Sequence, residues 1–220
     1  MSFLNCFVLN THRKISALIF VATFGGVISA QNSTLSFDSI NEGNIKRELA
    51  SFTLTGAKEK TVNKLDINCI PLRKCNDTLI VFEKGNLIYL DRLIDIFISK
   101  FDTSGHKFSF NNNKLIFIDD EPFYGGDSSI PVNKISAIRV MIGKLAFTIP
   151  ENAYFDVYEP NICTSSSKRR INQESNWKVY QSIDEKRLYI YSVLGVADKK
   201  FEVTWIITNG KYTMRVLDKI

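Results

Sequence analysis

The feature that most constrains the fold is an alternation of apolar and polar residues around an Asn-Gly pair near the C-terminus. Every second residue of 201–207 is apolar, and Asn209-Gly210 leads into a second alternating run at 212–216. Asn-Gly is favoured in two-residue turns between antiparallel strands, because both residues readily adopt positive φ. These residues predict a β-hairpin whose face bearing Phe201, Trp205 and Met214 contributes to the core.

Short runs rich in Val, Ile, Phe, Tyr and Thr precede this hairpin, which is typical of antiparallel β structure. Residues 177–181 and 187–194 extend it into a four-strand meander. Turn residues predict hairpins at 78–90 and 107–118, and they predict two strands within 135–149.

Two segments predict helices instead. Between Leu90 and Phe101, six apolar residues recur at spacings of three and four, and 40–49 has the character of a short surface helix. The predicted fold class is therefore mainly β, with antiparallel hairpins, the C-terminal meander and one or two helices; a β-rich α+β fold is the fallback. Residues 31–220 form one predicted domain, with a seam near 125–130 as the alternative.

The first thirty residues resemble a secretory leader. His12, Arg13 and Lys14 precede an apolar run that ends in small residues at Ala30. The stretch 15–30 is shorter than the ~20 residues that span a bilayer as a helix. We therefore predict export to the periplasm or the cell exterior, with cleavage after Ala30. The alternative is an uncleaved leader, which would be the only membrane attachment.

Charge argues against a nucleic-acid partner. Without the leader's Arg13 and Lys14, 26 basic residues face 23 acidic ones, and the two signs are interspersed. One basic cluster stands out, within the polar segment 164–176, and it predicts either a solvated loop or a contact for an acidic partner. Its members are Lys168, Arg169 and Arg170.

Histidine is scarce, which disfavours most catalytic templates. Only His12 and His106 occur, and His12 belongs to the predicted leader. A zinc site with several histidines is then excluded, and a Ser-His or Cys-His nucleophile would depend on His106 alone.

Three cysteines remain in the predicted mature chain, an odd number for an oxidising compartment. Cys69 and Cys75 flank a short segment and predict a small disulfide loop. Pairing of either one with Cys163 is the alternative, and three free thiols are a further one.

Two residue clusters are candidate sites. Four acids lie close together and suggest a Ca²⁺ site, a carboxylate pair for hydrolysis or simply a polar hairpin end, and they are Asp119, Asp120, Glu121 and Asp127. The aromatic residues around Tyr154 and Tyr158, with Phe155, Tyr189 and Tyr191, suggest either an exposed platform for sugars or peptides or a part of the core. Apart from Ca²⁺, no cofactor is expected.

The C-terminal third resembles uncharacterised secreted proteins of Bacteroidota. The similarity is carried by 147–151, 158–161 before Cys163, 186–191, 202–207 and 212–218. It implies export in a Gram-negative cell and a β-rich ending, and it implies no activity.

The sequence therefore predicts an exported, non-catalytic binding protein with a protein or glycan partner. The alternative is a carboxylate- or metal-assisted hydrolase that uses the acidic segment 119–127.

Overall fold

The computed structural model describes residues 34–84, 92–160 and 175–220, and these are mainly β. The helices are α1 (Gly43–Ala50) and α2 (Leu54–Lys58). The strands are β1 (Thr34–Leu35), β2 (Asn68–Ile70), β3 (Leu72–Cys75), β4 (Leu79–Lys84), β5 (Arg92–Lys100), β6 (Phe108–Asn111), β7 (Lys114–Ile118), β8 (Asn133–Ile142), β9 (Leu145–Thr148), β10 (Trp177–Gln181), β11 (Arg187–Leu194), β12 (Phe201–Thr208) and β13 (Lys211–Lys219).

The strands form two larger sheets and one small hairpin. Sheet A has the order β1-β13-β12-β11-β10-β2, and all its pairs are antiparallel except β1 with β13. Sheet B has the order β3-β4-β5-β8-β9 and is antiparallel throughout. Among the described strands, β6 and β7 pair with each other and with no third strand. The chain crosses from sheet A to sheet B at Pro71, between β2 and β3.

The main core lies between sheets A and B. Sheet B contributes isoleucines such as Ile94, Ile96 and Ile138, and sheet A contributes Trp177 and Trp205. The two indole rings stack with centroids 5.5 Å apart and planes within 4° of parallel. Two antiparallel sheets that share one apolar interior form a sandwich.

Sheet A is covered on its other face as well. Helix α1 and the segment before it pack Ile45 and Leu49 against Tyr189, Ile206 and Val216. Apolar residues at both odd and even positions of β11 and β12 are therefore buried, which strict alternation would not predict.

A buried ion pair fixes α1 on the sheet. Glu48 is 5 % exposed, and it accepts hydrogen bonds from Arg187 Nε at 2.8 Å and Nη2 at 2.6 Å. The Tyr189 hydroxyl donates to the same carboxylate. Burying a carboxylate is unfavourable unless it is paired and hydrogen-bonded, and here it is both.

The C-terminal meander is confirmed. Strands β10, β11, β12 and β13 pair in sequence, and Asn209 and Gly210 have φ of 50° and 75°, as the predicted turn requires. The hairpin at 107–118, the two strands within 135–149 and the helix within 40–49 are also present. Of the hairpin at 78–90, β4 is described, whereas the strand predicted at 87–90 lies outside the described residues.

The helix predicted from Leu90 to Phe101 is wrong, because most of that segment is strand β5. Ile94, Ile96 and Ile98 recur every second residue and are buried in the core between the sheets. Leu93 and Phe97 are half-buried on the opposite face, so apolar residues on both faces of the strand imitate helical spacing.

The placement of Met214 beside Trp205 is also wrong. A β-bulge pairs Ile206 with Met214 and Ile207 with Tyr212, which leaves Thr213 without an opposite residue. The extra residue reverses the alternation, so Tyr212 packs in the core between the sheets whereas Met214 packs under α1.

Gln31–Ile220 belong to one compact unit, which continues through the predicted seam at 125–130. None of the helices in the described ranges has the length and apolar character to cross a bilayer.

Candidate functional site

A groove of about 840 Å³ lies beside the start of strand β10, where the neighbouring strand β2 does not reach. Strand β2 pairs with Val179, Tyr180 and Gln181, and beyond it the chain turns away at Pro71. Trp177 and Lys178 therefore have no strand partner on that side among the described residues. The groove wraps around this open edge, and residues of both faces of β10 line it.

One wall of the groove is the turn between α1 and α2, and buried hydrogen bonds hold it in place. The Glu202 carboxylate, 2 % exposed, accepts from the backbone N–H groups of Leu54 and Thr55, each at 2.6 Å. The Tyr191 hydroxyl donates to the same carboxylate at 2.9 Å. A carboxylate at the first turn of a helix satisfies N–H groups that have no partner within the helix.

The groove surface is mainly aromatic and aliphatic. The ring of Phe52 stacks on Tyr180 at 4.4 Å, and burial raises the pKa of that tyrosine, so its hydroxyl is neutral. Lys178 is the one charged lining residue in the described ranges, and it has no ion-pair partner there. The remaining lining residues are Leu54, Cys69, Ile70, Pro71, Leu72, Phe82, Ser175, Asn176, Trp177, Tyr191 and Val193.

This arrangement suits binding. Pockets for ligands are mainly apolar, measure roughly 300–1,000 Å³ and carry a few polar groups that orient the ligand. Here the rigid aromatic wall offers apolar contact area, and the Lys178 ammonium offers a contact for a negative charge.

The predicted exposed platform of tyrosines is wrong. Tyr154 and Tyr158 are 4 % and 6 % exposed, and Tyr189 and Tyr191 are buried as well. They pack in the core or against neighbouring rings, so only Phe155 of that set is exposed.

Burial of the tyrosines predicts loss of stability at alkaline pH. Burial raises the pKa of Tyr158 and Tyr212 to about 12, and it raises the pKa of Tyr189 and Tyr191 too. In the unfolded chain these groups ionise near pH ~10. A pKa raised by folding gives stability that is complete below about pH 10 and is lost as pH rises through the folded-state value.

We expect the denaturant midpoint to fall steadily above about pH 10. Absorbance of phenolate at 295 nm should show most of the eight tyrosines ionising only at higher pH, together with unfolding. If all eight ionise near pH 10 while the far-ultraviolet dichroism is unchanged, the assigned burial is incorrect.

The four predicted acids do not converge. Asp119 accepts from His106 Nδ1 at 2.5 Å and from the Lys107 N–H at 2.8 Å, and Asp120 pairs with the Lys107 ammonium. Asp127 instead accepts from Ser129 in its own turn. Among the described residues, no group of three or more His, Cys, Asp or Glu side chains is placed to hold a metal ion. The Ca²⁺ site and the hydrolase based on this segment stay predictions.

The predicted loop between Cys69 and Cys75 is not formed. Cys69 is a free, exposed thiol, whereas Cys75 is buried and disulfide-bonded. The two residues lie on extended strands of different sheets, and six extended residues span up to ~20 Å, whereas a disulfide joins Cα atoms less than about 7 Å apart. The alternative partner, Cys163, lies outside the described residues, as do Lys168, Arg169 and Arg170.

If the leader is removed, Cys163 is the remaining partner for Cys75. We expect unreduced tryptic digests of the mature protein to contain a peptide pair that joins Cys75 to Cys163. Cys69 should react with iodoacetamide before reduction. A Cys69–Cys75 peptide, or full alkylation of all three cysteines without reductant, would contradict this assignment.

The sequence analysis predicted neither the groove nor the contact between His106 and Asp119. The groove residues come from elements between Phe52 and Val193, and no local motif marks them. The pairing of His106 with Asp119 had a signal, because a hairpin at 107–118 places the residues that flank it opposite each other.

No protein-family model matches the chain, and no curated protein or solved structure matches it. The geometry of the described residues is therefore the basis for the function proposed below.

Proposed function

We propose that this chain is an exported, non-catalytic binding protein of the periplasm or the cell exterior. Its binding site is the groove beside β10, and its ligand is an apolar segment of a partner protein that carries an acidic group. The main support for this proposal is the groove itself. Its volume is about 840 Å³, its surface is mainly apolar, and Lys178 is the one charged residue among its described lining residues.

Exposure of groove residues supports this proposal. Leu54 is 46 % exposed at the rim although its backbone is fixed by Glu202. A large apolar side chain held in a fixed position at an open groove is available for contact without reordering of the backbone. The acidic group follows from charge, because the Lys178 ammonium lacks a partner in the described ranges and would pair with a carboxylate.

A fluorescent anion tests the groove directly. Anilinonaphthalene sulfonate combines aromatic rings with one negative charge, and we expect it to bind a single site and to quench Trp177. Leu54→Ser should weaken this binding about tenfold through lost apolar contact. Lys178→Gln should weaken it about fivefold, and it should leave binding of the uncharged N-phenylnaphthylamine unchanged.

The matched control is Ile183→Ser, which alters an apolar side chain that is 62 % exposed and lies outside the groove. Its affinity for the fluorescent anion should equal that of the unaltered protein. Equal affinities of all three variants would refute the groove as the binding site.

The partner is tested by photocrosslinking in the native cells. Benzoylphenylalanine at position 54 should form a discrete adduct with another protein, and the same group at position 183 should not. Lys178→Gln should reduce the yield at position 54. Absence of an adduct at position 54, or identical adducts at both positions, would contradict a protein partner in this groove.

A further inference from the structure

Strand β9 forms an open edge of sheet B. The sheet ends at β9, whose one strand partner in the described ranges is β8. The Ile149 N–H donates to the Ile138 carbonyl, so the backbone groups of Ile149 face β8. Because successive residues of an antiparallel strand turn their backbone groups to opposite sides, the N–H and C=O groups of Ala146 and Thr148 point away from β8. Both of these residues are exposed.

The other described edges of the two larger sheets have features that hinder pairing with another chain. Strand β1 has two residues, and β2 has three. Strand β3 contains a β-bulge and the charged residues Arg73 and Lys74. Short strands, bulges and charges are the usual protection of sheet edges. Strand β9 has none of these features, because its four residues are uncharged and pair with β8 in a regular register.

The side chains of β9 make this edge apolar. Phe147 packs against the main core but is only partly buried, and Leu145 lies on the same face of the strand because it is two residues away. The side chain of Leu145 is 50 % exposed. An edge strand that combines exposed apolar side chains with free backbone groups is a template for a further strand.

We propose that two copies of this chain pair through β9, antiparallel and related by a twofold axis, so that sheet B continues from one copy into the other. A twofold axis requires that the same surface serves both copies. The outward groups satisfy this when Ala146 of one copy lies opposite Thr148 of the other, because each then donates to and accepts from the residue opposite. The same register places the Phe147 rings of the two copies opposite each other, and aromatic cross-strand pairs are favourable.

Charge complementarity favours a second copy as the partner. Lys144 precedes β9 and Glu151 follows it, and both are exposed and form no ion pair within the described ranges. In the proposed register Lys144 lies opposite Pro150 of the second copy, directly beside Glu151 of that copy. The twofold axis repeats this contact on the other side of the interface. A parallel arrangement would instead bring the two lysines together.

The proposed interface is separate from the groove beside β10. Strand β3, whose Leu72 lines the groove, lies at the opposite edge of sheet B from β9. Two copies joined at β9 therefore leave both grooves free, and the dimer can be tested without any groove ligand. One short strand from each copy buries less than the roughly 1,200 Å² of a stable interface, so we expect a weak, reversible dimer.

Sedimentation equilibrium of the purified protein tests the proposal. We expect a monomer–dimer equilibrium with a dissociation constant on the order of 100 µM. Lys144→Glu and Glu151→Lys should each weaken dimerisation at least tenfold, because each replaces attraction with repulsion at both ends of the interface. The double variant, which exchanges the two charges, should restore the dimer. Because both side chains are exposed, these changes do not endanger the fold.

Thr148→Pro tests the hydrogen bonds without changing a charge. It removes an N–H that points away from β8, so the pairing within sheet B is kept whereas the pairing with a second copy is lost. We expect this variant to be a monomer. Lys114→Glu is the control, since it reverses an exposed charge on β7, and it should dimerise like the unaltered protein.

Three results would each overturn the proposal. The first is an unaltered protein that stays monomeric at millimolar concentration. The second is a double charge variant that dimerises no better than Lys144→Glu. The third is a folded Thr148→Pro variant that still dimerises, or a Lys114→Glu variant that is weakened as much as Lys144→Glu. If Thr148→Pro does not fold, the charge variants decide alone.

Discussion

Trp205→Ala should lower the free energy of unfolding by about 3–5 kcal/mol, the usual loss when a large buried aromatic residue is truncated. Trp205 is 0 % exposed, it stacks on Trp177, and its Nε1 donates to the Ala153 carbonyl at 2.7 Å. The substitution leaves a cavity in the centre of the sandwich, and the Ala153 carbonyl loses this hydrogen bond but keeps the one from Arg215.

Urea denaturation followed by far-ultraviolet dichroism gives the measurement. Trp205→Phe keeps part of the ring volume but loses the hydrogen bond, so it should fall between Trp205→Ala and the unaltered protein. Ile183→Ala, at an exposed position, should change stability by less than about 0.5 kcal/mol. A loss below about 1 kcal/mol for Trp205→Ala would show that the sheet face assigned to the core is incorrect.

Arg215→Met should be similarly destabilising, by about 3–5 kcal/mol, because it leaves a buried carboxylate without its partner. Arg215 is 5 % exposed, and its guanidinium binds Asp156 through two contacts, at 2.5 and 2.9 Å. It also donates to the Ala153 carbonyl and to Thr34 Oγ1, so it links β13 both to the neighbouring strand β1 and to the segment that follows β9.

A double-mutant cycle separates the charge from the packing. Removing both charges with Asp156→Leu and Arg215→Met should restore much of the stability lost in the single variant, since no uncompensated charge is then buried. Lys107→Met breaks an ion pair whose side chains are 67 % and 68 % exposed, and it should cost less than about 1 kcal/mol. If Arg215→Met costs no more than Lys107→Met, the pair with Asp156 does not contribute as described.

The sequence predictions were correct where residues close together in the sequence determine the secondary structure. The C-terminal meander was predicted correctly because Asn209-Gly210 fixes its turn within two residues. The hairpin at β6 and β7 has a comparable turn, where Asn112 and Asn113 adopt φ of 49° and 61°.

The predictions were wrong where contacts between residues far apart in the sequence determine the structure. Strand β5 has sheet neighbours on both sides and partial cover on its outer face, so its apolar pattern does not distinguish strand from helix. No sequence pattern predicts the β-bulge at Thr213. Because of this bulge, Met214 lies on the opposite face of the sheet from the one predicted. Burial of Tyr154 and Tyr158 depends on segments far away in the chain, so the sequence left both the platform and the core open, although such residues pack in the core more often.

The candidate site was still harder to predict. The groove exists because β2 ends at Ile70 and because Glu202 holds the start of α2 more than one hundred residues away in the sequence. Neither contact has a local signature.

The parallel pairing of β1 with β13 has a consequence for how the molecule acquires its fold. Thr34 and Leu35 lie beside Arg215 and Val216, and the Phe37 N–H donates to Asp218, 181 residues further along the chain. Polypeptides emerge from a ribosome or a translocation channel N-terminus first, so β1 is exposed long before its partner strand β13. Closure of this kind is slow, and β1 stays accessible to chaperones and proteases until β13 pairs with it.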